Sequence, residues 1–206
     1  MYLCHDRLVS RRERSAAIVA GGQARRLSGL DKSRLVVDGR PIIVRQVEVL
    51  QSVAALTFVV GGVPGRYADL GLPVHEDLMP GTGALGGIYT AVVSATTPFV
   101  LTVACDMPFL HPGVLAELGS LAESHDAAWV ATARGVEPLL ACYRTTIAPV
   151  LAARLANGQL RASDIANDLD IAVMGPDRLA AFGPPDRLLA NVNTPEDYAR
   201  VQYGLS

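Results

Sequence analysis

A chain of 206 residues, half of them hydrophobic and 18% charged, has the composition of one compact domain, which excludes a disordered or fibrous protein. Its formal net charge of −2 offers no global positive field, so a polyanion such as DNA or a membrane surface is excluded as a bulk electrostatic partner and any phosphate must be bound locally. Cys4, Cys105 and Cys142 are widely spaced, with no CxxC pair and no zinc-type histidine spacing; Cys105 and Cys142 are expected as small buried hydrophobes with free thiols.

In chain order, residues 1–15 carry Arg7, Arg11, Arg12 and Arg14 against only Asp6 and Glu13, the pattern of a solvated, poorly ordered basic tail; residues 16–206 are then a single domain. The tail lacks the apolar core of a secretory signal and no later apolar run reaches ~18 residues, so a cytoplasmic protein is expected. Residues 16–20 form a short apolar strand that opens into Gly21-Gly22. A helix starts at Pro41, with Ile42, Ile43, Gln46, Val47 and Leu50 at mixed three-to-four spacing, and residues 56–60 are a second apolar strand closed by Gly61-Gly62. Residues 85–93 read as a helix, and 98–104 as a third buried strand ending in Cys105-Asp106-Met107-Pro108. Three near-continuous apolar strands alternating with helical segments predict a mostly parallel sheet covered on both faces, with ligands beyond the carboxyl ends of the strands. Residues 129–132 and 139–143 read as strands that extend the sheet in antiparallel fashion, 147–155 as a helix, and Thr194-Pro195 as the N-cap and first position of a last helix.

The segment from Gly21 to Lys32 is the richest in chemistry. Glycines let backbone N–H groups approach an anion, and Arg25, Arg26 and Lys32 follow in the same loop, which suits a triphosphate; the plain alternative is a turn with solvated arginines. Asp31 precedes Lys32, so this is not a Walker A loop. Gly81-Thr82-Gly83-Ala84-Leu85-Gly86 matches GxGxxG with Asp106 at the right distance, the pattern of a dinucleotide-binding oxidoreductase. The polar, proline-closed stretch before it and its place outside the first strand-loop unit argue against that reading. Asp106, ending an apolar strand, is the hard oxygen ligand that Mg²⁺ on nucleotide phosphates requires, or else a turn residue before Pro108. Asp77 is a weaker candidate of the same kind, for a base or sugar. His75, His111 and His125 are scattered and read as structural. A phosphate-monoester nucleophile is already anionic at neutral pH, so a site with Lys32, Arg26 and a metal on Asp106 needs no histidine base.

These motifs together resemble the molybdenum cofactor guanylyltransferases. Val19-Ala20-Gly21-Gly22 with Arg26 and Asp31-Lys32 is similar to that family's LAGG…R…DK signature, Pro80 to Ile88 to its PGxGPLxGI segment, Cys105 to Leu110 to its CDMPFL segment, and Asn191 to Asp197 to its NxNTPED segment. The resemblance implies a three-layer α/β fold, a mostly parallel, mixed sheet of the Rossmann-like nucleotidyltransferase (nucleotide-diphospho-sugar transferase-like) type. It implies transfer of GMP from GTP to the phosphate of molybdopterin, usually already carrying molybdenum, with release of pyrophosphate, and transient contact with molybdenum-insertion proteins or recipient apoenzymes. In this reading Ala20, Gly21, Gly22 and Lys32 hold the GTP phosphates, Asp77 helps hold the nucleoside, and Asp106 binds Mg²⁺. Arg26, Gly29, Gly83, Gly87, Asn191 and Asn193 match positions associated with the pterin side or with activity. The base-contacting Asn common after the second strand is absent from Gly61-Gly62-Val63, so Asp77 and the backbone of Gly61 and Gly62 are expected to meet the guanine. The competing readings are a cytidylyltransferase acting on the same cofactor, a sugar-phosphate nucleotidyltransferase, and a catalytically idle cofactor-binding partner; a pure binding module has little use for both Asp106 and Lys32.

Overall fold

The computed structural model describes residues 11–21, 31–62, 65–132 and 135–203. After a 3-10 turn at Arg11–Glu13 the chain enters strand β1 (Arg14–Val19), all six residues of which are buried. The strand thus begins two residues before the apolar run and takes in Arg14 and Ser15 from the segment expected as a solvated tail. Arg14 is 5% exposed. Its guanidinium donates to the Ala116 carbonyl at 3.4 Å and fills the space that a Cβ on Gly119 would need, so the stem packs while the head meets a carbonyl. Residues 1–10 lie outside the described residues.

Strands β2 (Val36–Val37) and β3 (Arg40–Pro41) form a hairpin about Asp38 and Gly39, whose φ angles of 49° and 78° give the two-residue turn that matches strand twist. Helix α1 (Ile42–Val53) buries Ile42, Ile43, Gln46 and Leu50 on one face. There follow β4 (Leu56–Val60), β5 (Val74–His75), α2 (Gly83–Ser94), β6 (Phe99–Ala104), α3 (Pro112–Leu121), β7 (Ala127–Thr132), β8 (Gly135–Arg144), α4 (Ala148–Ala156), β9 (Ile171–Met174), α5 (Pro176–Ala180), α6 (Pro185–Leu188) and α7 (Pro195–Tyr203).

Among the described residues seven strands make one sheet, in the order β5-β4-β1-β6-β8-β7-β9. Strand β8 runs antiparallel to both its neighbours and every other pairing is parallel, so the mostly parallel, mixed sheet is as the sequence predicts. Alternate residues divide between two cores. Ala16 and Ile18 of β1 pack with Ile43 and Leu50 of α1 and Leu115 of α3 on one face. Ala17 packs with Leu85 and Ile88 of α2 and Leu151 of α4 on the other. A period of two feeding two helix layers is the three-layer architecture. The GxGxxG run does open a helix, α2, but the strand ahead of it is the two-residue edge strand β5, not the first strand of the sheet.

Two local devices fix the ends of the site. Thr194 caps α7, accepting from the Asp197 N–H at 3.1 Å, while Asp197 accepts from the N–H groups of Asn193 and Thr194 at 3.0 Å, a reciprocal box that sets the preceding segment. Gly87 lets α2 lie directly on β1, because a Cβ there would stand 2.5 Å from Cγ1 of buried Val19. Valine is stiff at χ1, so relief must come from backbone shift. Gly87→Ala is expected to lower unfolding free energy by about 1–3 kcal/mol in urea titration, the usual cost of overpacking; an unchanged midpoint would show that α2 is free to move off the sheet. No helix among the described residues is long and apolar enough to cross a membrane.

Candidate active site

The parallel strands β1, β4 and β6 end side by side, and the chain leaving each is tied to its neighbour. The Ala20 N–H donates to the Val60 carbonyl at 2.8 Å and the Cys105 N–H to the Val19 carbonyl at 3.2 Å. Gly61, at φ 80°, lies so close to the first loop that a Cβ would come within 2.9 Å of the Gly21 nitrogen. Gly62, at φ 90°, lies under the ring of buried Tyr67. Only glycine satisfies both the dihedral and the approach at these two positions. Gly22, Arg26 and Gly29 lie outside the described residues.

Asp106 stands at the end of β6 and is joined to the far end of the chain: its carbonyl accepts from the Val192 N–H at 2.9 Å. Lys32 Nζ donates to Asn193 Oδ1 at 2.6 Å and stands 4.0 Å from Asp106 Oδ2. Expected site residues from three distant parts of the sequence, Lys32, Asp106 and Asn193, are thereby brought together. Burial pushes the Asp106 carboxyl above its usual range; the Lys32 ammonium and a backbone hydrogen bond pull it back, and Asp197 adds to the rise. Asn191, two residues before Asn193, has a buried Oδ1 with no hydrogen-bond partner among the described residues.

Asp77 follows β5. Its Oδ1 accepts from the Met79 N–H at 3.0 Å and from the Thr90 hydroxyl at 3.3 Å, and its Oδ2 lies 3.7 Å from where a Gly21 Cβ would be, facing the first loop. Gly83, at φ 69°, starts α2 with open space around it, whereas Gly87 is buried against Val19. The Gly61 N–H donates to the His75 carbonyl at 2.8 Å, so of the backbone groups expected to meet the base this one is already engaged within the sheet.

Residues given no site role in the sequence also build the site. Gln46, from the core face of α1, donates its amide to the carbonyls of Ala104 at 2.8 Å and Met107 at 2.9 Å, clamping the turn that carries Asp106. A polar residue on an otherwise apolar helical face was its only signal. Asp31 Oδ1 accepts from the N–H of Ser33 at 3.1 Å and its hydroxyl at 2.6 Å, which shapes the 3-10 turn Lys32–Arg34. Among the described residues the histidines make contacts within the fold: His75 packs edge-on to Phe58, His111 caps α3 through Gly113, and His125 meets Asp170 at 2.9 Å. Burial pushes the thiols of Cys105 and Cys142 up to about 12, so neither is a nucleophile near neutral pH.

Residues 16–170 match the family described as MobA-like NTP transferase domain. A probable molybdenum cofactor guanylyltransferase of Chloroflexus aggregans is 34% identical over 194 residues, covering 91% of this chain and 93% of that protein. One of Carboxydothermus hydrogenoformans is 32% identical over 187 residues, covering 91% and 94%. Among solved structures, molybdopterin-guanine dinucleotide biosynthesis protein A from Archaeoglobus fulgidus superposes with a TM-score of 0.78 at 26% identity, over 91% of this chain and 96% of that one.

Proposed function

We propose that this chain, which belongs to the MobA-like NTP transferase family, transfers GMP from GTP to the phosphate of molybdopterin, releasing pyrophosphate and forming a guanine dinucleotide cofactor. The observation that carries the reading is the meeting of Lys32, Asp106 and Asn193 at the carboxyl end of β6, one cation beside one carboxylate, next to the chain leaving β1. The acceptor phosphate is an anion at neutral pH, so the site has to align it and balance charge, not remove its proton. Lys32 balances charge that grows on the departing pyrophosphate, and Asn193 holds its ammonium in place. The backbone of Ala20 and Gly21 borders the triphosphate in this reading, and Gly22, Arg26 and Gly29, which follow in sequence, keep the roles that the family resemblance implies.

Asp106 and Asn191 are oxygen donors of the kind Mg²⁺ takes and would hold it: a partly buried carboxylate, with the unpartnered oxygen of Asn191 on the segment bonded to its backbone. When bound there, Mg²⁺ supplies charge neutralisation on the α-phosphate. Gly83 leaves open space at the start of α2 on the pterin side, while Gly87 acts by seating that helix. Cytoplasmic location, and hand-over from molybdenum-insertion proteins to recipient apoenzymes, complete the reading.

Guanine selection falls to Asp77. A carboxylate has about four acceptor sites, so the two contacts of Oδ1 leave the two lone pairs of Oδ2 for guanine's N1–H and amino group, a pair that adenine lacks. The test is pyrophosphate release with each NTP, with and without molybdopterin and Mg²⁺. GTP is expected to be the preferred donor, and Asp77→Ala to lower the GTP-over-ATP ratio of kcat/KM by at least about tenfold, or ~1.4 kcal/mol. An equal loss with every NTP would limit Asp77 to the ribose, and a wild-type preference for CTP would overturn the guanylyl assignment.

A further inference from the structure

We propose that Glu137, near the start of β8, orients the acceptor substrate by accepting hydrogen bonds from N–H donors of its pterin ring. The inference rests on the function proposed above and assigns a specificity residue to its second substrate. The order of the sheet carries the first step. Gly21, Gly61 and Asp77 follow β1, β4 and β5, on one side of Asp106, whereas β8 lies on the other side of β6. In-line transfer requires the nucleophile to arrive opposite the departing pyrophosphate, so a donor held over β5-β4-β1 leaves the β8 side to the acceptor.

The register of β8 places Glu137 at that entrance. Strand β6 pairs with β8 only from Phe99 opposite Arg144 to Val103 opposite Leu140. Residues 135–139 therefore run past the carboxyl end of β6, along the edge where Asp106 stands. Their pairing with β7 is broken by an irregularity: Trp129 faces Ala141, but the next residue, Val130, faces Glu137. Extra residues on one strand bend it and re-aim its side chains, and such bulges concentrate beside active sites. This one contains Pro138, which has no N–H to give to the ladder. The Pro138 carbonyl accepts at 2.7 Å from the hydroxyl of fully buried Tyr143, so the bulge is fixed.

Electrostatics narrows the partner. Glu137 is half-buried; burial, and after it the charge of Asp106, disfavours its ionised form. A carboxylate there repels phosphate, and what it accepts is N–H. The pterin ring presents ring N–H and amino donors, and guanine, the other candidate, is held on the far side of Asp106. A half-buried hydrogen-bond acceptor left unpaired disfavours an acceptor molecule that lacks the donors.

Glu137→Gln, which keeps side-chain size, tests this. Steady-state assays are run with GTP and molybdopterin, and binding of a fluorescent pterin monophosphate is followed by anisotropy without GTP or metal. The molybdopterin KM is expected to rise at least about tenfold and pterin affinity to fall alike, with the GTP KM and Tm unchanged, and Glu137→Asp is expected to fall between wild type and Gln. A higher Mg²⁺ requirement with pterin binding unchanged would overturn the assignment in favour of metal binding. A lowered Tm with both KM values moved together would overturn it in favour of a structural role. A wild type that turns over while Glu137→Gln keeps its acceptor KM and pterin affinity overturns Glu137 alone; a wild type that makes no guanine dinucleotide overturns the function itself.

Discussion

Asp106→Asn is expected to lower kcat by about 10²–10³ at saturating GTP, Mg²⁺ and molybdopterin while the chain keeps its full stability. The substitution preserves size and removes the negative charge of the carboxylate at the end of β6. The backbone that positions residue 106 does not depend on its carboxylate: the carbonyl is held by the Val192 N–H, and the surrounding turn by Gln46. The sign of the stability change follows from the carboxyl's environment. Burial raises its pKa above the unfolded value, so near neutral pH the ionised form costs stability that a neutral amide does not. Lys32 offsets part of that cost from 4.0 Å, so Tm is expected at or slightly above the wild-type value. Loss of rate with gained or equal stability is the mark of a residue kept for chemistry. Near wild-type kcat with Mg²⁺ would remove Asp106 from the metal site.

The parts of the fold visible in the sequence are those where burial is complete on both faces. Strands β1, β4 and β6 are near-continuous apolar runs because helices cover them on two sides, and α1, α2 and α4 carry long apolar faces. What escaped has weaker local signal. Strand β5 has two residues and β9 four, too short for a period to repeat. Helix α3 carries Gly113 and Gly119, which depress helix propensity; it exists because Leu115 and Leu118 pack on the sheet and because Gly119 leaves room for Arg14. Arg14 itself reads as a tail residue, since nothing local says that a helix 102 residues away supplies a carbonyl for its guanidinium.

The site divides in the same way. Lys32, Asp106 and Asn193 stand in short motifs, so their types and order are visible, but their meeting is a tertiary fact: Asn193 lies 161 residues from the lysine it holds. Gln46 and Glu137 act through a buried amide clamp and a strand bulge, neither of which has a local spacing to read. The Gly61 N–H is engaged by β5, an edge strand of two residues with no period to read.

Lys32→Ala is expected to weaken GTP binding and slow single-turnover transfer together, the latter by about 10². Two contacts are lost at once. Asn193 Oδ1 loses the donor that reaches it at 2.6 Å, and the partly buried Asp106 carboxylate loses its nearby cation, so the cleft becomes more negative where a triphosphate must enter. The ground-state cost follows from that charge, and a tenfold rise in Kd corresponds to ~1.4 kcal/mol. The larger cost falls on the transition state, because negative charge accumulates on the departing pyrophosphate after binding is complete, and an ammonium held in place stabilises it without reorganising. Lys32→Arg is expected to restore binding more than rate. A guanidinium is bulkier and planar and does not reproduce the point charge that Asn193 holds beside Asp106. Asn193→Ala separates the two effects further: it leaves the cation in the cleft but frees it to swing, so GTP affinity should change little while the single-turnover rate falls. GTP titrations followed by rapid mixing with molybdopterin measure both quantities on each variant. If the Lys32→Ala titration and single-turnover trace overlay those of the wild type, Lys32 is a surface lysine that happens to lie beside an acid.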